Sequence, residues 1–130
     1  ADYMQCIKAF AGAESYNGPS SIIASAPCIN QGIKGGMGIS QAEEKKAVAA
    51  GYWNNFRFDP RKADNGENPF TLDSKAPTAS YRDFIMGEVR YNSLTRAFPE
   101  RAEKLFEKAE KAAADRYEHL VRLQEVYGEK

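Results

Sequence analysis

The sequence is short of the residues that would let it carry out a chemistry of its own. Cysteine occurs twice, at Cys6 and Cys28, and histidine once, at His119. Two thiols with no CxxC spacing exclude the disulfide framework of a small secreted domain and favour a reducing, cytoplasmic setting. A lone histidine deep in a helical pattern, with no Cys or His at ligand spacing, excludes His-based zinc chemistry and the Ser-His and Cys-His nucleophiles for this chain acting alone. Net charge is missing too, with 18 Lys plus Arg against 18 Asp plus Glu. Such a balance leaves no electrostatic footprint for nucleic acid or an anionic membrane, and neither is expected as a partner. No apolar run approaches the roughly 20 residues that cross a bilayer, and no basic-then-apolar leader stands at the front. The 130 residues suit one modest core. Because ADYMQC starts inside a helical pattern without an initiator Met, the chain is expected to be cut from something longer.

What is present is patterned. Tyr3, Ile7, Phe10 and Ala11 recur at helical spacing and predict an amphipathic helix over residues 2–15, ended by Gly18-Pro19. The run SIIASA, residues 21–26, bounded by Gly-Pro and Pro, reads as a buried parallel strand. Cys28 then sits just past a strand's carboxyl end, the edge where open α/β sheets gather ligands. Ser40 and Glu43 have capping-box spacing for a helix running to about Ala50, with Gly51 as its stop. YWNNFRF, residues 52–58, reads as a strand, and DPRK as a turn. Residues 61–78 turn to Asp, Asn, Gly, Pro and Lys, an extended surface connection in which only PFTLD resembles a short strand.

Further on, Ser80 and Asp83 suggest a second capped start, with Phe84, Ile85, Glu88 and Val89 continuing one helical face toward Leu94. Pro99 fits the first turn of a final helix. Ala102, Leu105, Phe106, Ala109, Ala113, Tyr117, Leu120 and Leu123 keep its apolar stripe for about 40 Å. Such a length outruns a small two-strand core, so part of the stripe is expected to pack on another chain or on sequence outside this one. The fold class expected is α/β, a partial open sheet with long C-terminal helices. Residues 1–58 form the helix, strand, Cys28 loop, helix and strand, 59–79 the connection, and 80–130 a helical tail.

Few of the chemical candidates survive weighing. GIKGGMGIS resembles a phosphate-binding loop but has neither a closing Gly-Lys-Ser/Thr nor GxGxxG spacing, so a turn that brings backbone close to something is the better reading. Glu43 with Glu44, and Glu107 with Glu110, lie among lysines as solvated helix pairs. Cys6, among Met4, Ile7 and Phe10, reads as an inert buried thiol. For Cys28 a structural and a functional thiol stay equally open. It follows a proline at a strand end, precedes Asn30 and Gln31 whose amides could face a sulfur, and leads into a glycine loop. One thiolate does not build a metal centre, because an iron-sulfur cluster takes four.

Beyond these readings, CIKAFAGAESYNGPSSIIASAPCINQGIKGGMGISQAEEKKAVAAGYW, with FRFDPR, NPFTLDSKAP and FIMGEVRYNSL after it, closely resembles the carboxyl-terminal end of pyruvate:ferredoxin (or flavodoxin) oxidoreductases. The resemblance covers nearly the whole chain. It implies a piece, about the last tenth, of a large, usually homodimeric enzyme: the end of its thiamine-diphosphate-binding domain (residues 1–58) plus the helical tail. In that family the cysteine of the APCIN block is the fourth ligand of the 4Fe-4S cluster nearest thiamine diphosphate, the other ligands lying far upstream, and the resemblance carries this role to Cys28. It implies, for the parent, oxidative decarboxylation of pyruvate with coenzyme A to acetyl-CoA and carbon dioxide, and electron transfer through 4Fe-4S clusters to ferredoxin or flavodoxin. Thiamine diphosphate with Mg and the clusters are cofactors of the parent, and the isolated chain is expected to hold none and to be inactive. The family commonly has a histidine where this chain has Gln31, so no proton-transfer role is given to that position. The family's Gly-Asp-Gly segment and ferredoxin-like cysteine set do not occur here, and no catalytic or thiamine-contacting residue is assigned. The other expectation is a stand-alone helical interaction and assembly module without catalysis.

Overall fold

The structure is a computed structural model and describes residues 2–129. Ala1 and Lys130, the outer ends of the expected units 1–58 and 80–130, lie outside the described residues.

Helix α1, Tyr3–Glu14, starts where the Asp2 carboxylate accepts from the Gln5 N–H at 3.0 Å. It follows the expected span, yet none of its residues is buried. Tyr3, Met4, Ile7 and Phe10 face solvent, and Cys6 with them. The buried thiol expected at Cys6 is therefore corrected: the helix has an apolar stripe, but no other element covers it. The strand expected over residues 21–26 is absent as well, and Ile22 and Ile23 are exposed. A strand exists only through a ladder, and no described segment pairs with this one.

A 3-10 turn, Met37–Ile39, leads into α2, Ser40–Ala49. The capping box does not form. Ile39 occupies the cap position, the Ser40 hydroxyl donates back to the Met37 carbonyl, and Glu43 turns inward. At the other end Gly51 has φ 71°, the left-handed stop its residue type permits. Tyr52 and Trp53 give their N–H groups to the Ala47 carbonyl, at 2.9 and 3.2 Å. Those two residues complete the helix exit, so strand β1 is only Phe56–Phe58, shorter than the expected 52–58.

Strand β2, Phe70–Leu72, pairs with β1 antiparallel, Phe56 opposite Leu72 and Phe58 opposite Phe70. The open sheet is this hairpin, and it is not parallel. Between its strands lies α3, Pro60–Asp64, capped by Asp59 with Pro60 in the first turn. The short strand expected in PFTLD forms as β2, and residues 59–79 also hold α3 and the buried side chains of Phe70 and Ser74.

Helix α4, Tyr81–Gly87, begins at Ser80, whose hydroxyl accepts from the Asp83 N–H at 3.1 Å, as the spacing predicts. The helix then breaks. Glu88 takes an extended conformation, φ −86° and ψ 121°, before α5, Val89–Ala97, resumes. Helix α6, Pro99–Gly128, carries 30 residues over about 45 Å. Its buried side chains are Ala102, Phe106, Ala113 and Leu120, and the first two close a core made with Ala47, Ala50, Phe84 and Ile85. Toward its far end Leu72 N–H donates to the Gln124 amide oxygen at 3.0 Å, and the Tyr127 ring meets Phe58 and Phe70. The hairpin thus covers part of the stripe expected to need an outside partner, while Leu105 stays exposed. The whole is mixed α/β, a small open sheet beside a long C-terminal helix, as the class assignment anticipated.

Candidate functional site

The chemistry-bearing residue is Cys28, and its geometry begins with the turn around it. The Gly32 N–H returns to the Cys28 carbonyl at 2.8 Å, and Gly32 reaches that position with φ 77°, a left-handed backbone that a side chain would strain. Closing the turn brings the backbone of Gln31 and Asn30 round beside the Cys28 side chain. Together they hold the thiol below its ordinary pKa, against the opposing effect of burial. Cys28 is half-exposed. Among residue types, that combination suits a thiolate that has to be available as a nucleophile or a metal ligand.

The loop is seated on the break between α4 and α5. Ile33 pairs with Glu88 as an isolated antiparallel bridge; Lys34 N–H donates to the Gly87 carbonyl at 2.8 Å, and Val89 N–H to the Gly32 carbonyl at 3.2 Å. Ile33 is buried. Gly36 N–H donates to the Ile33 carbonyl at 2.9 Å. With the amides of Gly32, Lys34 and Gly36 all engaged, the glycine loop does not present them to a phosphate, which favours the close-passing turn.

Behind the loop lies a polar interior. Glu88 is 2% exposed and Glu43 also 2%. Burial raises the Glu88 pKa; Arg90 opposes this, and Glu43 and Glu44 add to it. Arg90 approaches Glu88 at 3.8 Å and donates to the Tyr52 hydroxyl at 2.7 Å, which lies 2.9 Å from that of Tyr91. Burial, then Tyr91, pushes the Tyr52 hydroxyl up. After the larger effects of Gln31, Asn30 and burial, Arg90 lowers the Cys28 pKa and Glu88 raises it.

Cys6 lies apart on α1 and His119 stands exposed on α6. Among the described residues no group of three His, Cys, Asp or Glu side chains is placed to hold a metal ion. A metal ion at Cys28 would need ligands from outside the described residues. Glu88 and Arg90 were not singled out by sequence reasoning, which ran α4 and α5 together. The one local signal of the break is Gly87 in the middle of a helical pattern. No helix among the described residues is long and apolar enough to cross a membrane.

No family model matches the chain. It is 57% identical over 125 residues, 96% of its length, to the pyruvate:ferredoxin oxidoreductase of Moorella thermoacetica. It is 50% identical over 123 residues, 95% of its length, to the pyruvate-flavodoxin oxidoreductase of Enterobacter agglomerans. A third relative, the mitochondrial pyruvate dehydrogenase (NADP+) of Euglena gracilis, is 46% identical over 101 residues, 78% of the chain. The chain spans 10% of the first two relatives and 6% of the third.

Proposed function

Starting from the premise that this chain corresponds to a segment of a pyruvate:ferredoxin or pyruvate-flavodoxin oxidoreductase, we propose that it supplies, through Cys28, one ligand of a 4Fe-4S cluster in the complete enzyme. The observation that carries this is the half-exposed Cys28 in a turn closed by the Gly32 N–H, its thiol held below the ordinary pKa first by the Gln31 and then by the Asn30 backbone. Backbone N–H donors on a ligating sulfur are a means by which proteins set cluster potentials.

The complete enzyme oxidatively decarboxylates pyruvate, passes the acetyl group to coenzyme A and sends electrons to ferredoxin or flavodoxin. Thiamine diphosphate with Mg, and the 4Fe-4S clusters, supply carbanion chemistry and one-electron relay when bound. This chain's residues do less. Cys28 holds a cluster corner, Gln31 and Asn30 share the sulfur's charge, and Ile33 anchors the loop. The bare apolar faces of α1 and of Ile22, Ile23 and Ile29 pack on the remainder of the parent polypeptide, which supplies the missing ligands and the thiamine site. The parent works as a homodimer in the cytoplasm, and the chain by itself is inactive.

The test is anaerobic purification of the full-length parent with Cys28 intact and as Cys28→Ala, comparing iron, acid-labile sulfide and pyruvate-dependent ferredoxin reduction. Loss of one cluster's worth of iron and of most electron transfer, in a folded protein, is the expected result. Unchanged iron and turnover overturn the ligand role and leave a helical assembly element.

A further inference from the structure

The break between α4 and α5 is unusual for what it buries. Extending Glu88 gives up helical hydrogen bonds, and the bridge to Ile33 replaces them. The site also depends on Gly87, because a Cβ there would meet the Glu43 Oε1 at 2.9 Å. The break carries the Glu88 carboxylate inside, where its Oε2 has no hydrogen-bond partner, opposite Arg90, whose Nε has none either. At 3.8 Å the two are an ion pair without a hydrogen bond between those atoms. With Glu88 buried and the Arg90 side chain 34% exposed, a pair of that geometry recovers little of the carboxylate's desolvation penalty, so it is poor support for stability. A short backbone path connects it to the Cys28 turn: Val89 N–H to the Gly32 carbonyl at 3.2 Å, then Gly32 N–H to the Cys28 carbonyl at 2.8 Å.

We propose that Glu88 and Arg90 are positioning residues that set the reduction potential of the centre ligated by Cys28, Glu88 holding it down and Arg90 pulling it up. This rests on the reading of Cys28 as a cluster ligand. Reduction adds negative charge, which a nearby carboxylate opposes and a guanidinium favours, and inside a protein such interactions are several-fold stronger than in water. Cluster potentials respond to net charge, hydrogen bonds to sulfur and solvent exposure. The unsatisfied pair at the loop's seat supplies the first of these.

The experiment uses the full-length enzyme as Glu88→Gln, Arg90→Gln, Arg90→Lys and Cys28→Ala, with iron and sulfide assays and a redox titration followed by electron paramagnetic resonance. The signal to follow is the one that Cys28→Ala removes. With full iron retained, Glu88→Gln should move its midpoint positive, Arg90→Gln negative, and Arg90→Lys should stay near the parent value. Midpoints that stay put, or that move in the same direction in both Gln variants, overturn the proposal. Should Glu88→Gln lose the cluster, Arg90→Gln against Arg90→Lys decides by the same sign. If Cys28→Ala keeps all its iron, the ligand reading itself has failed, and the iron assay reports that separately from any potential.

Discussion

Residues 2–32 and 33–129 treat similar apolar patterns in opposite ways. The first stretch has a well-capped helix with a clear stripe, yet it contributes nothing to the core, and Ile23 is 81% exposed. The second buries Ile85 to 1% and Phe106 to 3%. Side-chain links tie the two together: Gln5 to Asp73 at 3.2 Å, Tyr3 to Gln41 at 2.6 Å, and Arg61 to the Ser15 carbonyl at 2.9 Å. The difference teaches that helical periodicity reports which face wants cover and says nothing of whether the cover is in the same chain. In residues 33–129 the cover is α6, whereas Tyr3, Met4, Ile7, Phe10, Ile22, Ile23 and Ile29 stay exposed.

The contrast breaks most visibly under truncation. Phe106→Ala removes a ring that meets Tyr91 edge-on and lies under the Arg82 guanidinium. It should cost about 3–5 kcal/mol in urea unfolding followed by Trp53 fluorescence. Phe10→Ala on α1 should change stability by less than about 0.5 kcal/mol; equal losses would mean that α1 is held by more than the links above. Gly87→Ala comes next. Crowding Glu43 should cost about 1–3 kcal/mol and speed amide exchange at Lys34 and Val89, whereas unchanged exchange would detach the loop from the helix break. Ser80→Ala should lose about 1 kcal/mol as a cap, while Ser40→Ala, which removes no cap, should lose less in the same assay.

The smallest effect is read in pH. Burial alone would raise the Asp73 pKa, but the Arg57 guanidinium and the Gln5 amide overcome it and the carboxyl sits below its ordinary range. A depressed carboxyl contributes stability that is present above its unfolded pKa and lost as pH falls through the folded one. Glu88, with a raised pKa, runs the other way: its contribution is complete below the ordinary carboxylate range and is lost as pH rises through the folded value. Thermal midpoints across an acid series should therefore fall less steeply in Asp73→Asn than in the parent chain. Parallel curves would remove Asp73 as a joint between the two regions.

Much of the architecture was legible where its cause is local. Ser80, Pro99 and Gly51 mark helix ends through their own side chains or backbone freedom, and the structure places them as expected. Errors occur where the cause is distant. Residues 21–26 find no ladder partner, Tyr52 and Trp53 turn to Ala47 instead of a strand, and Cys6 faces solvent because nothing covers its helix. At the site, the sequence flagged Cys28 with Asn30, Gln31 and the glycines after it, but the strand end on which it set Cys28 does not form. The Glu88 seat was not flagged, since the bridge that makes it joins residues far apart in sequence.

The length and position of α6 also bear on how the chain comes off the ribosome. Every buried residue from Ile33 to Ile85 is synthesised before the helix that closes the core, and the 30 residues of that helix follow last among the elements described. At about 5–20 residues per second, its synthesis takes about 2–6 s. Throughout that interval Phe84, Ile85 and the Ala47–Ala50 face have no lid. A chaperone would find its binding surface on the nascent chain here, and a stalled message lacking α6 would yield a sticky product.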